Sequence, residues 1–148
     1  MKYFAVSGYS NCGKTSLISD IAREMTDRGY KIAIIKHSEH SIITGEKDTD
    51  KFLKSGISDV AFWGKDGYIL YSRNTVDLNE LIARYIDFDF IIIEGGKHIE
   101  ELPKVWIGAP DSGIKNIVAL ITGEEKKWNI PTFKRKNISS LVSFLLSL

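Results

Sequence analysis

The chain has 148 residues, with 20 Lys and Arg against 19 Asp and Glu, which gives a formal net charge of +1. This length suits one ordinary domain, and the balanced charge excludes a global positive field that would hold the protein on nucleic acid or an anionic membrane. The single Cys12 cannot form an internal disulfide, the apolar runs are too short to cross a membrane, and the N-terminus lacks a signal-peptide pattern. We therefore expect a cytoplasmic protein of one domain, residues 1–148, without nucleic-acid or membrane partners.

The N-terminal part of the chain predicts a β-α-β unit. Residues 2–7 are a strand-sized apolar run, and apolar residues recur at helical spacing from Lys14 to Arg28. Gly29 is a signal for the end of that helix, and KIAIIK at 31–36 predicts a second strand. The turn between the first strand and the helix is rich in glycine.

The middle of the chain predicts a short helix and a β-hairpin. Asp48 or Asp50 is placed to cap a helix that ends at Gly56. The predicted hairpin, 59–72, has strands at 59–63 and 68–72 and a turn at 64–67. Both of its faces are apolar. Since a hairpin with one face in water should alternate with polar residues, we expect helices or a second chain to cover it.

The rest of the chain alternates helices with apolar strands. Predicted helices lie at 77–85 and 139–146, and predicted strands at 89–93, 104–107, 116–122 and 130–133. Strands that alternate with helices indicate a parallel sheet. The predicted fold class is therefore α/β, a mainly parallel β-sheet with helices on both faces, as in P-loop NTPases, with a β-hairpin extension.

A phosphate-binding loop is predicted at residues 8–15, where GYSNCGKT matches the Walker A pattern G-x-x-x-x-G-K-[ST]. The loop follows a predicted strand and opens a helix, so its backbone N–H groups are placed to wrap phosphates. Gly8 and Gly13 allow the backbone to approach them closely. Lys14 is placed for the β- and γ-phosphates, and Thr15 for Mg²⁺. The alternative is a plain glycine-rich turn with Thr15 as a helix cap.

The other residues of the loop are expected to act through their backbone. They are Tyr9, Ser10, Asn11 and Cys12. A cysteine at a helix N-terminus is either a reactive thiol or a small side chain that fits. Because no base is evident beside Cys12 in the sequence, we favour the second interpretation.

A carboxylate for Mg²⁺ is expected at the end of a strand next to the loop. Asp89 and Glu94 flank the apolar run FIII and stand roughly 17 Å apart along a strand, so only one of them lies at the nucleotide end. Ligands bind beyond the carboxyl ends of parallel strands, which selects Glu94. The alternative is a solvated charge at a strand end. Asp48 is either a further Mg²⁺ ligand or only a helix cap.

A second polar group follows the strand at 31–36. His37, Glu39 and His40 suggest a metal site, but their spacing matches no zinc pattern and a fourth ligand is missing. We therefore favour Lys36 and His37 as contacts to phosphate or to an acidic substrate.

Four motifs together resemble those of the molybdopterin-guanine dinucleotide biosynthesis protein B family, MobB. They are GYSNCGKTSL, IKHSEH, EKDTDKFLKSG and IIIEGGKH, in this order over about residues 1–108. The resemblance implies a GTP-binding adapter with weak GTPase activity that assists the attachment of GMP to molybdopterin. It also implies molybdopterin guanylyltransferase and molybdenum-inserting proteins as partners, and a homodimer formed through extended β structure, which would account for the hairpin at 59–72.

The resemblance also assigns site residues. It implies Gly8 to Ser16 as the nucleotide-binding loop, Thr15, Glu94 and Asp48 at Mg²⁺, and Lys36, His37, Thr49, Gly95, Lys97 and His98 at the rim of the cleft. The sequence contains no Asn-Lys-x-Asp segment to read guanine, so GTP over ATP follows from the resemblance only. Thr122 and Gly123 are where a base-contacting loop is expected.

Two other functions are open at this point. No catalytic base is evident, and none of the arginines (Arg23, Arg28, Arg73, Arg84, Arg135) lies in a recognisable switch loop, which favours slow turnover. The main alternative is a P-loop small-molecule kinase, although its lid-sized segment, 97–115, has lysines and no arginine. The other is an interaction module with a vestigial loop, which the intact phosphate-loop residues disfavour.

Overall fold

The computed structural model describes residues 2–38 and 47–148, and the chain divides into two compact units. The first, which we call the sheet unit, consists of the chain up to Ser38 and from Tyr85 onward. The second, which we call the hairpin unit, is Glu39–Arg84. In chain order the elements are β1 (Lys2–Ser7), α1 (Lys14–Asp27), β2 (Ile32–Lys36), α2 (Lys47–Lys54), β3 (Asp59–Gly64), β4 (Gly67–Ser72), α3 (Leu78–Ala83), β5 (Phe90–Glu94), β6 (Lys104–Ile107), β7 (Ile117–Ile121), β8 (Thr132–Phe133) and α4 (Ile138–Ser147).

The sheet unit is built on six parallel strands in the order β2-β5-β1-β6-β7-β8. The predicted α/β fold with a mainly parallel sheet is confirmed. Because all strands run the same way, the loops that follow their carboxyl ends meet at one edge of the sheet. That edge carries the loop between β1 and α1 and the residues that follow β5, β6, β7 and β8.

The core of the sheet unit lies on both faces of the central strands. Helices α1 and α4 pack over Phe4, Val6 and Ile92 in one apolar cluster. Side chains alternate along a strand, so Ile91 and Ile93 point to the opposite face, and they too are fully buried. Burial on both faces is why β5 is a continuous apolar run.

Several boundaries differ from the sequence prediction for local reasons. Strand β5 begins at Phe90, after Asp89, whose carboxylate accepts the Lys31 backbone N–H at 2.7 Å. It extends to Glu94, which pairs with Val6 of β1 and Lys36 of β2. Helix α1 ends at Asp27, and Gly29 follows with φ of 89°, a backbone conformation that favours glycine.

The start of α4 also departs from expectation. The helix begins at Ile138, one residue before the predicted start, and its N-cap residue, Asn137, makes no side-chain capping hydrogen bond. The last strand is shorter than predicted and contains only Thr132 and Phe133.

The hairpin unit holds an antiparallel pair of strands, β3 and β4, between the short helices α2 and α3. Its register places Phe62 opposite Ile69 and Trp63 opposite Tyr68. These four side chains are all exposed, with Trp63 at 87% and Tyr68 at 73%. The predicted hairpin and its two apolar faces are therefore confirmed, and both faces are open in the single chain.

Helix α3 of the hairpin unit starts at Leu78 because the carboxylate of Asp77 accepts the backbone N–H of Glu80 at 2.8 Å. Over the described parts of both units, none of the helices combines the length and apolar character that crossing a membrane requires.

Candidate functional site

The loop between β1 and α1 has the geometry of an anion cradle. A Cβ added to Gly8 would lie 2.7 Å from Cys12 Sγ, so only glycine fits there without a shift. Gly13 has φ of 86°, and Asn11, with φ of 59°, is also left-handed. The first hydrogen bond inside α1 runs from Leu17 N to Gly13 O, which leaves the preceding N–H groups free to bind an anion.

Lys14 brings a positive charge to this cradle. Its Nζ donates to the carbonyl oxygen of Tyr9 at 2.8 Å and lies 3.4 Å from that of Gly8. The Cys12 Sγ is 4.0 Å from the same ammonium and packs against Gly8. The ammonium is thus held at the loop by carbonyl oxygens, which phosphate oxygens are chemically suited to replace.

Thr15 and Glu94 meet across the two central strands. The Thr15 Oγ1 donates to Glu94 Oε1 at 2.9 Å, because β5 pairs with β1 and ends beside the loop. Asp89 lies at the other end of β5, where its backbone oxygen accepts Lys2 N. The predicted choice of Glu94 over Asp89 agrees with this placement.

The Thr15 hydroxyl and the Glu94 carboxylate are oxygen donors of the kind that suits Mg²⁺. Magnesium prefers oxygen ligands and is usually held by one or two protein groups together with phosphates and water. Within residues 2–38 and 47–148 there is no cluster of three or more His, Cys, Asp and Glu side chains that would bind a metal without such help. A hydroxyl and a carboxylate at a phosphate loop therefore suit a metal that arrives with a nucleotide.

Three of the residues predicted at the rim of the cleft, Lys36, His37 and Gly95, lie around Glu94. Lys36 pairs with Glu94 in the register of β2 and β5, and the His37 backbone N–H donates to Glu94 O at 2.9 Å. Gly95 has φ of 97°, and a Cβ there would lie 3.0 Å from His37 O. The close approach of Gly95 to His37 explains why a glycine follows Glu94. The Ser7 hydroxyl donates to Gly95 O at 2.5 Å and fixes the same turn.

Tyr9 links the phosphate loop to the segments after β5 and β6. Its hydroxyl donates to the Asp111 carboxylate, and its ring meets Trp106 edge-on at 5.5 Å between centroids. The Lys97 Nζ lies 5.6 Å from the centre of the Tyr9 ring. The Tyr9 hydrogen bond holds the pKa of Asp111 below its usual range, and the same bond raises the pKa of the phenol. Lys97 therefore lies beside the loop, as predicted.

Lys104 is a buried cation that sequence reasoning did not single out. Its Nζ donates to the carbonyl oxygens of Ile99 (2.5 Å), Leu102 (2.9 Å) and Lys115 (3.1 Å). Burial lowers the pKa of this amine. The side chain ties the segment after β5 to the segment before β7. In the sequence it reads as the polar start of a strand, and no local signal reveals its burial.

Arg135, which follows β8, was also missed as a site residue. Its Nη1 donates to Gly13 O at 3.1 Å, and its Nη2 donates to Ser16 Oγ at 2.8 Å. The sequence signal that could have indicated Arg135 is its position after the carboxyl end of a short parallel strand, because ligands bind beyond the carboxyl ends of such strands.

The remaining predicted residues are Ser10, His98, Asp48 and Thr49, and their roles at the site stay predictions. Ser10 is exposed in the phosphate loop and His98 is exposed in a turn. Asp48 and Thr49 belong to the hairpin unit, where Asp48 pairs with Lys51 at 2.9 Å on the exposed side of α2. Glu39 and His40 of the considered zinc site lie outside the described residues, so that alternative stays untested.

The chain is similar to known proteins over most of its length. The family model described as Molybdopterin guanine dinucleotide synthesis protein B, MobB, matches residues 3–123. A Bacillus subtilis protein named probable molybdopterin-guanine dinucleotide biosynthesis adapter protein is 32% identical over 127 residues, which cover 78% of this chain and 73% of that protein. A Methanocaldococcus jannaschii protein with a putative name of the same kind is 32% identical over 100 residues, covering 66% of this chain and 42% of that protein.

Solved structures agree with the fold. The crystal structure of Bacillus subtilis MobB superposes with a TM-score of 0.80 at 25% identity, covering 99% of this chain and 97% of that one. A MobB homologue from Bacillus stearothermophilus gives 0.73 at 23% identity, with 99% of this chain and 97% of that one covered.

Proposed function

The chain belongs to the MobB family, molybdopterin guanine dinucleotide synthesis protein B, and from this premise we propose that it is a GTP-binding adapter in the biosynthesis of molybdopterin guanine dinucleotide. The observation that carries the proposal is the hydrogen bond between Thr15 and Glu94 at the mouth of the loop that holds Lys14. A cation ligand pair and an ammonium at one anion cradle are what a nucleoside triphosphate with Mg²⁺ requires.

Each part of the phosphate loop has its own role in binding the nucleotide. The free N–H groups at the start of α1 bind phosphate oxygens, and the glycines at 8 and 13 let the phosphates come close. Lys14 exchanges its bonds to Tyr9 O and Gly8 O for bonds to phosphate oxygens. The Thr15 hydroxyl and the Glu94 carboxylate would hold Mg²⁺, which would supply positive charge against the β- and γ-phosphates.

Hydrolysis by this chain alone should be slow. Arg135 contacts Gly13 and Ser16, away from the γ-phosphate side that Lys14 and Thr15 serve. Slow hydrolysis suits an adapter that hands a nucleotide or cofactor to another protein. The kinase alternative finds no arginine in the segment 97–115, and Lys104 of that segment is engaged by carbonyl oxygens.

The partners we propose are molybdopterin guanylyltransferase and molybdenum-inserting proteins, as the family resemblance implies. The biosynthetic role and the single, unpaired Cys12 favour a cytoplasmic location.

We also propose that a second copy of the chain covers the hairpin. Trp63, Tyr68 and Leu70 lie on one face of the hairpin, Phe62 and Ile69 lie on the other, and all five are exposed. Aromatic side chains of this kind are enriched in interfaces between proteins. The outer edges of β3 and β4 also leave backbone groups available for pairing with another strand. A homodimer through the hairpin satisfies both needs.

A titration with and without Mg²⁺ tests the metal part of this proposal. Glu94→Gln should weaken GTP binding in the presence of Mg²⁺ by about 10-fold, since a charge-assisted contact is worth about 1.5–3 kcal/mol. The same variant should bind like the wild type when Mg²⁺ is removed. Glu100→Gln, which changes an exposed acid outside the site, is the control and should leave both affinities unchanged. Equal Mg²⁺ dependence in Glu94→Gln and the wild type would contradict the assignment.

A further inference from the structure

Arg135 reaches from the turn after β8 to the start of α1, where its guanidinium group contacts Gly13 and Ser16. We propose that Arg135 binds the α-phosphate of the nucleotide and so directs the nucleoside toward β7 and β8. The inference rests on the proposed function, because it needs a nucleotide at the loop. The family match ends at residue 123, so it says nothing about this arginine.

The guanidinium group is held in place by the loop itself. Nη1 donates to Gly13 O at 3.1 Å and Nη2 donates to Ser16 Oγ at 2.8 Å. These bonds use two of the five N–H donors of an arginine, and the side chain is 39% exposed. The group therefore keeps donors and access for an anion while its position is fixed.

The charge of Arg135 is only partly neutralised by its acidic neighbour. Asp20 Oδ2 lies 3.5 Å from Arg135 Nη2, but Asp20 also pairs with Arg23 through Oδ1 at 2.9 Å. One carboxylate is thus shared by two guanidinium groups. The local net charge of the two guanidinium groups and the one carboxylate is positive, which favours a phosphate as a further anionic partner.

The order of residues along α1 selects the α-phosphate. Lys14 serves the β- and γ-phosphates, and Thr15 serves the metal on the same side. Ser16 is the next residue, and its N–H is also free of a partner inside the helix. Since a phosphate loop cradles the α- and β-phosphates as well, the position beside Ser16 belongs to the α-phosphate.

The order of the strands also directs the nucleoside toward β7 and β8. Glu94 ends β5, on one side of β1, whereas Arg135 follows β8 on the other side, with β6 and β7 between. Beside β8, residues 124–132 and Lys134 line an open cavity of about 630 Å³. The Trp128 Nε1 is buried there without an acceptor among the described residues. The Trp128 ring lines this cavity, and an aromatic ring is a surface on which a nucleobase can stack.

The test compares GTP with the two diastereomers of GTPαS, in which sulfur replaces one non-bridging oxygen of the α-phosphate. Dissociation constants are measured for the wild type, Arg135→Gln and Arg135→Lys in the presence of Mg²⁺. We expect Arg135→Gln to weaken GTP binding by about 10-fold, as for a lost charge-assisted hydrogen bond. The wild type should prefer GTP over one diastereomer several-fold, and Arg135→Gln should lose that preference. Arg135→Lys, which keeps the charge but not the planar fork, should lie between them.

A matched control separates this role from a structural one. Arg23→Gln removes the other partner of Asp20 but does not touch the loop, so it should bind GTP and both diastereomers like the wild type. A purely structural Arg135 would give weaker binding with the diastereomer preference intact, and that result would overturn the inference. The inference would also be overturned if Arg135→Gln bound GTP as tightly as the wild-type protein does. If the wild-type protein bound no nucleotide, the proposed function would fail together with this inference. An intact diastereomer preference or an unchanged GTP affinity in Arg135→Gln would overturn the inference only and leave the proposed function standing.

Discussion

The two units of the molecule both contain apolar strands, but these strands are buried in the sheet unit and exposed in the hairpin unit. In the sheet unit, the apolar residues of β5 are buried on both faces, with a parallel strand on either side and helices α1 and α4 packed over the face that carries Ile92. In the hairpin unit, β3 and β4 are as apolar, yet Trp63, Tyr68 and Ile69 are exposed. Apolar content alone therefore does not tell whether a strand is a core strand. The proposed dimer interface lies on the exposed hairpin, whereas the proposed nucleotide site lies on the buried sheet.

The largest expected effect separates the two units by stability. Ile92→Ala removes a fully buried side chain and should lower the free energy of unfolding by about 2–5 kcal/mol. Ile69→Ala makes the same change in the hairpin, where the side chain is 63% exposed, and should cost less than about 0.5 kcal/mol in dilute protein. Urea denaturation at low protein concentration measures both. Equal losses would contradict the division between a buried sheet and an open hairpin.

A second pair of variants compares buried and exposed lysines. Lys104→Met leaves one buried and two partly buried carbonyl oxygens without this donor and should cost about 1–3 kcal/mol. Lys65→Met, in the exposed turn of the hairpin, should change stability by less than about 0.5 kcal/mol. Thermal and urea unfolding of the two variants against the wild type give the answer. A neutral Lys104→Met would mean that this ammonium does not hold the segments together.

The hairpin should control self-association without affecting the fold. Trp63→Ser combined with Leu70→Ser should convert a dimer to a monomer, because the pair removes the exposed apolar contact of one face. Ile86→Ser, a change at a 73% exposed side chain of the sheet unit, is the matched control and should leave the dimer intact. Sedimentation and light scattering report the mass. A dimer that survives the double substitution would place the interface elsewhere.

The smallest expected effect is a titration at the ligand edge. The hydrogen bond to Asp111 raises the pKa of Tyr9 from its ordinary value of 10.0, so the phenol should ionise at higher pH than a free tyrosine. A raised pKa stabilises the folded protein below pH 10.0, and this contribution is lost as the pH rises through the folded-state pKa. The ionisation of Tyr9 is measured as the difference in tyrosinate absorbance between the wild type and Tyr9→Phe as the pH is raised. Asp111→Asn should move the titration down, and no movement would rule out the hydrogen bond.

Asp111 gives the complementary effect in acid. Its pKa is lowered from 3.8 by the Tyr9 hydrogen bond, so it stabilises the fold above that pH and loses the effect as the pH falls through its folded-state pKa.

Much of this architecture is predictable from local pattern. The strands, the hairpin and the phosphate loop follow from apolar spacing and turn residues, and the rule on carboxyl ends selects Glu94 over Asp89. Arg135 was not predictable in the same way, because it contacts Gly13 over a separation of 122 residues and only the order of the strands brings them together. Lys104 was missed because nothing in its neighbours in sequence indicates that carbonyl oxygens surround its ammonium.

A binding titration of GTP and ATP with Mg²⁺ against the wild type, Lys14→Ala and Lys31→Ala tests the central claim most directly. Lys14 lies in the loop, whereas Lys31 precedes β2 at the opposite edge of the sheet and serves as the matched control. We predict that the wild type and Lys31→Ala bind GTP alike and more tightly than ATP, and that Lys14→Ala binds about 10- to 100-fold more weakly while unfolding at the same temperature. Unchanged GTP affinity in a folded Lys14→Ala protein would contradict the claim that this loop captures the triphosphate.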